Sequence, residues 1–169
     1  MKKLLIIATN VLILLALVVN TNAQGPKGKD FGFGLIMGDP LGLTIKIWTS
    51  NENAFDFYLG SSYFGNIRVG GDYLWHFDAF NSNMVKMYAG IGGVVGFGTG
   101  HGIWYKENKD KFYYWDDNSM GIGARAILGI NFIPRRTPLE IFVEFGPLVG
   151  LSPNYGVNMD GAIGIRFYP

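Results

Sequence analysis

Leu139-Glu140-Ile141-Phe142-Val143-Glu144-Phe145 sets apolar side chains on its odd numbers and carboxylates at 140 and 144. A period of two marks a strand with one apolar and one polar face, and it excludes an amphipathic helix. The same parity runs through Leu43-Thr44-Ile45-Lys46-Ile47, Phe55-Asp56-Phe57-Tyr58-Leu59, Val157-Asn158-Met159-Asp160 and Ile163-Gly164-Ile165-Arg166-Phe167. It is almost intact in Ile67-Arg68-Val69 and Asp72-Tyr73-Leu74-Trp75-His76. With residues 31–37, 85–97 and, on the opposite parity, 121–132, the strands number eight.

One face of these strands holds residues such as Leu35, Ile45, Phe57, Val69, Ile91, Leu128, Val143 and Ile165, none of them charged. The other holds Lys46, Asp56, Arg68, Asp72, His76, Lys86, Arg125, Glu140, Glu144, Asp160 and Arg166: five bases, five acids and a histidine. Two closed eight-stranded architectures fit such alternation. A soluble lipocalin-like barrel points its apolar face inward at a ligand, whereas an outer-membrane barrel points it at lipid around a polar interior. The unbroken uncharged face, the balanced charge and glycine of the other face, and the grouping of aromatics favour the second. Phe31, Phe55, Trp75, Phe77, Phe132 and Phe167 all fall toward the periplasmic strand ends if the N-terminus starts there, as an interfacial girdle requires. Residues 49–53, 78–83 and 134–138 are then short periplasmic turns, and the one long connection, residues 99–119, falls on the external side.

Lys2 and Lys3 precede an apolar run over residues 4–19 that closes on Thr21-Asn22-Ala23, the three parts of a secretory signal helix cleaved after Ala23. The run is short and broken by Thr9 and Asn10, and so reads poorly as a membrane anchor. The predicted organisation is a signal peptide over 1–23, a short periplasmic segment over 24–30, and a barrel over 31–169 with an external hairpin at about 98–119. Zero cysteines exclude a disulfide scaffold, a thiolate metal site and a lipid-anchored N-terminus. A formal charge of +1 across 169 residues leaves no basic surplus for nucleic acid.

Several phrases in order carry a resemblance: Gly38-Asp39-Pro40-Leu41-Gly42-Leu43, Asp72-Tyr73-Leu74-Trp75-His76, Tyr88-Ala89-Gly90-Ile91-Gly92-Gly93, Pro138-Leu139-Glu140-Ile141-Phe142-Val143-Glu144 and Gly161-Ala162-Ile163-Gly164-Ile165-Arg166-Phe167-Tyr168. The chain resembles a family of small bacterial outer-membrane barrels of unknown function, and in build it is similar to OmpX and the membrane domain of OmpA. The resemblance implies an all-β, eight-stranded antiparallel up-and-down transmembrane barrel in the outer membrane, both termini periplasmic, with no established activity. Such families usually end on an aromatic residue that the outer-membrane assembly machinery reads. This chain departs from that, ending Phe167-Tyr168-Pro169.

Inward charges must be paired, because an unpaired one out of water costs several kcal/mol. Folding the hairpins about their turns places Lys46 near Asp56, Glu144 diagonal to Arg125 and Glu140 near Arg166, with inward glycines such as Gly92, Gly129 and Gly164 leaving room for these side chains. A plugged salt-bridged lumen is the reading preferred to a narrow pore or a catalytic set. His76 and Asp72 form at most half an acid/base pair, since Ser61 and Ser62 lie at the other end of the barrel. No HExxH, G-x-S-x-G or complete GxGxxG occurs, so no catalytic residue, metal or cofactor is expected. The external segment carries Trp104, Tyr105, Phe112, Tyr113, Tyr114 and Trp115, anchors suited to an extracellular protein or surface ligand, or to lipid headgroups. The expected partners are outer-membrane lipid, the assembly machinery and such a ligand. A narrow pore, a soluble periplasmic lipid-binding barrel and a lipid-modifying enzyme stay open beside this reading.

Overall fold

The computed structural model describes residues 29–82, 84–98, 100–101, 104–105, 114–115, 120–134, 136–153 and 155–169. The expected signal helix therefore lies outside the described residues. Eight strands make the wall: β1 (Phe31–Asp39), β2 (Leu41–Trp48), β3 (Asn53–Ser62), β4 (Gly65–Phe77), β5 (Val85–Phe97), β9 (Met120–Phe132), β10 (Leu139–Ser152) and β11 (Gly156–Phe167). Three two-residue strands fall between β5 and β9: β6 (Gly100–His101), β7 (Trp104–Tyr105) and β8 (Tyr114–Trp115).

Each wall strand pairs antiparallel with the next, and β1 closes on β11 from Phe33 opposite Phe167 to Asp39 opposite Gly161. Closure removes both sheet edges, so the barrel needs no partner chain to satisfy its backbone. Tracing paired residues from Phe33 through Ile45, Phe57, Gly71, Gly93, Ala124, Val149 and Val157 meets the line of β1 about ten residues beyond the start, a stagger that tilts the strands by about 40–45°. Exposure alternates along most of each wall strand, breaking at Gly38, Ile47 and Asn66, so the parity read from the sequence becomes two surfaces.

The lumen is filled at both ends by apolar groups. Trp48, Ala54, Leu74, Tyr88, Ile127, Ile133 and Tyr168 cluster toward the end that carries the termini, and Tyr58, Phe64, Val94 and Leu148 toward the loop end. This corrects the reading of inward glycines as room for charged side chains alone. A Cβ at Gly129 would stand 2.2 Å from the Tyr88 ring, one at Gly70 2.1 Å from Tyr58, and one at Gly164 2.3 Å from Phe142. These glycines mostly accommodate aromatic rings laid flat on the wall, although Gly92 does make room for Asp72 Oδ1, 2.1 Å from a Cβ there. Gly129→Val should therefore destabilise the folded barrel by about 1–3 kcal/mol through overpacking. Gly161→Val, where nothing lies within 4 Å of an added Cβ, should cost no more than about 0.5 kcal/mol. Urea unfolding followed by tryptophan emission checks the difference, and equal costs would refute the ring-packing account.

Candidate functional site: an ion-pair column inside the barrel

Charged residues thread the lumen in two tiers, interleaved with the two apolar clusters. In the tier nearer the termini, Lys46 Nζ on β2 donates to Glu140 Oε1 on β10 at 2.8 Å. Arg166 on β11 approaches the same carboxylate at 3.4 Å and reaches Asp56 Oδ2 on β3 at 2.5 Å. Thr44 Oγ1 donates to Asp56 Oδ1 at 2.9 Å and accepts from Arg166 Nη2 at 2.9 Å. Asn131 Nδ2 donates to Glu140 at 2.9 Å, and the Tyr168 hydroxyl donates to the other Glu140 oxygen.

Arg125 on β9 organises the second tier. Its Nε and Nη2 grip Asp72 at 3.0 and 2.7 Å, Nη2 also reaches Glu144 at 2.9 Å, and Nη1 reaches Asp160 at 3.1 Å. Only a guanidinium presents donors in this fork, so three carboxylates share one cation. Asp160 is also held by Arg68 and by the Tyr63 hydroxyl, while Arg68 Nη1 stands 3.5 Å from Asp39 at the loop-end rim. Tyr88 donates to Glu144 at 2.9 Å. Ring faces supply further cation contacts: Arg166 over Phe142 at 3.7 Å, Lys46 over Trp48 at 4.3 Å and Arg125 over Tyr58 at 4.5 Å.

The register explains why the arginines cross the lumen. Asp56 and Asp72 are direct cross-strand partners, a like-charge pairing that destabilises a sheet. Each is neutralised from across the barrel, Asp56 by Arg166 and Asp72 by Arg125. The ion pairs thereby tie β3 and β4 to β9 and β11 through the centre.

Lys46 does stand beside Asp56 in the register, but its carboxylate partner is Glu140. Glu144 reaches Arg125 at 2.9 Å, and Glu140 faces Arg166 directly. Lys86 stands apart from the column: it is half-buried near the termini, and its ammonium donates to the Asn51 carbonyl at 3.1 Å. Among the described residues, the buried charges are thus four bases and five acids, with Asp39 a sixth acid at the rim. His76 accepts from Lys46 at Nε2, 2.9 Å away, so its Nδ1–H donates to the Glu52 carbonyl at 3.1 Å. The ring packs on Trp48 and Tyr88, with centroids 4.3 and 5.2 Å away, while Asp72 is turned to Arg125. Both ring nitrogens are committed, and Ser62 sits at the far end on Arg68.

Sequence reasoning missed Asp39, Thr44, Asn131, Tyr88 and Tyr168 as members of the column. All but Asp39 have the parity of the charged face, which was the available signal. Lys29, just before β1, donates to the carbonyls of Pro134 and Thr137 at 3.0 and 2.6 Å and lies over the Tyr168 ring, tying the N-terminal segment across the mouth. Burial draws the Lys29 ammonium below its ordinary range, against a smaller opposing pull from Glu140.

The long segment departs from a simple hairpin. Tyr114 and Trp115 pair with His101 and Gly100, whereas Trp104 and Tyr105 pair with Val157 and Gly156 of β11. β1 stops at Asp39, opposite Gly161, so the loop end of β11 has no wall neighbour on that side and takes up β7 instead. Phe112 and Tyr113 lie outside the described residues.

The family model described as "Protein of unknown function (DUF3996)" matches residues 24–168. No curated protein matches the chain. Among solved structures, the N-terminal β-barrel domain of OprF from Pseudomonas aeruginosa superposes with a TM-score of 0.53 at 11% identity, covering 81% of this chain and 95% of that one. At that identity the likeness establishes the shared barrel fold.

Removing one member of a buried ion network leaves its partners charged and unpaired. Arg125→Leu should therefore lower unfolding stability by about 3–5 kcal/mol. Lys86→Leu, outside the column, should change it by no more than about 0.5 kcal/mol. Denaturant titration of both variants checks this, and a small effect at Arg125 would contradict the column's structural weight.

Proposed function

We propose that this chain, which belongs to the DUF3996 family of unknown function, is an integral barrel of the bacterial outer membrane with a structural, non-catalytic role: a closed lumen and an external surface for contact. The observation that carries the reading is the exterior wall. Leu35, Met37, Ile91 and Phe145 are each more than half exposed, and no charged residue interrupts the outward face between the ends of the strands. Such a surface suits acyl chains and is a liability in water. Phe31, Phe55, Trp75, Phe77, Phe132 and Phe167 are all exposed at the end carrying the termini, in keeping with an interfacial girdle and a periplasmic location for that end.

The lumen supports the same reading. A lipocalin-like barrel needs an apolar cavity, whereas the core here is crossed by buried ion pairs. An ion path would have to displace Lys46, Arg68, Arg125 and Arg166, each packed against carboxylates and rings. The committed nitrogens of His76 argue against an acid/base role. Outer-membrane lipid and the assembly machinery are the proposed partners, with outward Phe167 available to the latter despite the following Tyr168-Pro169. The aromatic segment around Trp104, Tyr105, Tyr114 and Trp115 is the proposed contact surface for an extracellular protein or ligand, in an adhesion or envelope-integrity role.

The test is heat-modifiable gel mobility of the chain from a membrane fraction, compared with Ile91→Arg. A lipid-facing wall predicts a heat-shifted band for the native chain and a loss of about 2–4 kcal/mol for the variant near the bilayer midplane. A soluble periplasmic product that tolerates Ile91→Arg would overturn the reading.

A further inference from the structure

Among the described residues, the wall is not equally tall all round. On β1–β3 the outward apolar rungs stop at Met37, Leu41 and Leu59; the next outward position on β3 is Ser61, and on β1 the alternation breaks at exposed Gly38, after which the Asp39 carboxylate turns in to Arg68. On β5, β9 and β10 they continue to Phe97, Met120 and Leu151. With a rise of about 3.3 Å per residue and a tilt of about 40–45°, the apolar band is about 16–18 Å tall along β1–β3 and about 28–30 Å along β5–β10. The terminal ends are nearly level, so the whole shortfall falls at the loop end. A bacterial barrel's apolar band is about 25 Å, so the tall side spans it and the short side does not.

Resting on the membrane reading above, we propose that the β1–β3 wall locally thins the bilayer, drawing the headgroups of the loop-end leaflet down by about 10 Å to a ledge marked by Ser61. The occupant of this wall is lipid. Its nine exposed apolar side chains, from Phe31 to Leu59, demand an apolar neighbour up to the ledge, and exposed Ser61 at the ledge demands a polar one. Asp39 accepts from the Tyr63 backbone N–H and faces Arg68, which pins the β1–β2 turn to the barrel rim at the height of exposed Ser61. β7 does not lengthen the apolar wall: paired to Gly156 and Val157, it lies on the line of β1 but about 10 Å beyond its end.

The chain has no cysteine, so single labels are straightforward. Leu41→Cys on the short wall and Ala124→Cys on the tall wall lie at nearly the same height, as do Ser61→Cys and Val95→Cys. Each variant carries a polarity-sensitive fluorophore and is folded into dioleoylphosphatidylcholine vesicles, with folding checked by heat-modifiable mobility. The proposal expects the Ala124 and Val95 labels to emit blue-shifted and resist an aqueous quencher, the Ser61 label to emit red-shifted and be quenched severalfold more, and the Leu41 label, just under the ledge, to fall between Ser61 and Ala124. Equal protection of all four, with quenching by brominated lipid, overturns the thinning but keeps the membrane reading. Protection of Leu41 from both aqueous and lipid quenchers overturns it in favour of a second protein copy on that wall. Aqueous quenching of all four in well-folded protein overturns the membrane reading itself. The Ser61 and Val95 pair keeps the comparison open if either label at Leu41 or Ala124 prevents folding.

Discussion

Arginine reaching across a narrow lumen to a carboxylate is the constraint on which the rest of this barrel depends. Asp56 and Asp72 are neighbours on adjacent strands, and their charges are tolerable only because Arg166 and Arg125 meet them from the opposite wall. Those arginines lie on flat rings, and the strands are stripped to glycine behind the rings, as at Gly70 behind Tyr58 under Arg125 and Gly164 behind Phe142 under Arg166. Charge, ring and glycine are therefore one packing solution. Buried ion pairs contribute little net stability over well-packed apolar groups, yet breaking one is costly. The column's plainest effect is thus on register: a one-residue slip would turn every charge in that strand to the outside.

The period-two pattern made the strand number, the two faces and the positions of the turns legible, because alternation is a local property of each strand. Lys46, Asp56, Arg68, Asp72, His76, Arg125, Glu140, Glu144, Asp160 and Arg166 were all visible as inward residues for the same reason. Their partners were only partly visible. Cross-strand neighbours such as Glu140 and Arg166 follow from hairpin register, but the contact of Lys46 with Glu140 spans the barrel and depends on its diameter and stagger. Lys86 has the right parity and the wrong height, near the mouth where its long stem reaches the Asn51 carbonyl.

The aromatics show the same boundary. Those on the outward parity were read correctly as a group at one end, whereas Tyr58, Tyr88 and Phe142, on the polar parity, were visible in the sequence and passed over as part of the lumen. The pairing of Trp104 and Tyr105 with β11 could not be read locally, since it follows from β1 ending short of its neighbour. That same shortness gives the barrel wall its unequal height, so one feature of the first three strands shapes both the loop's attachment and the proposed lipid boundary.

An ion-pair column either closes the barrel, as proposed above, or lines a path through it. Planar-bilayer recording from the purified, heat-modifiable protein tests this most directly. A closed column gives a baseline without stepwise current across a wide voltage range, and reproducible unitary conductance steps would show an open path instead.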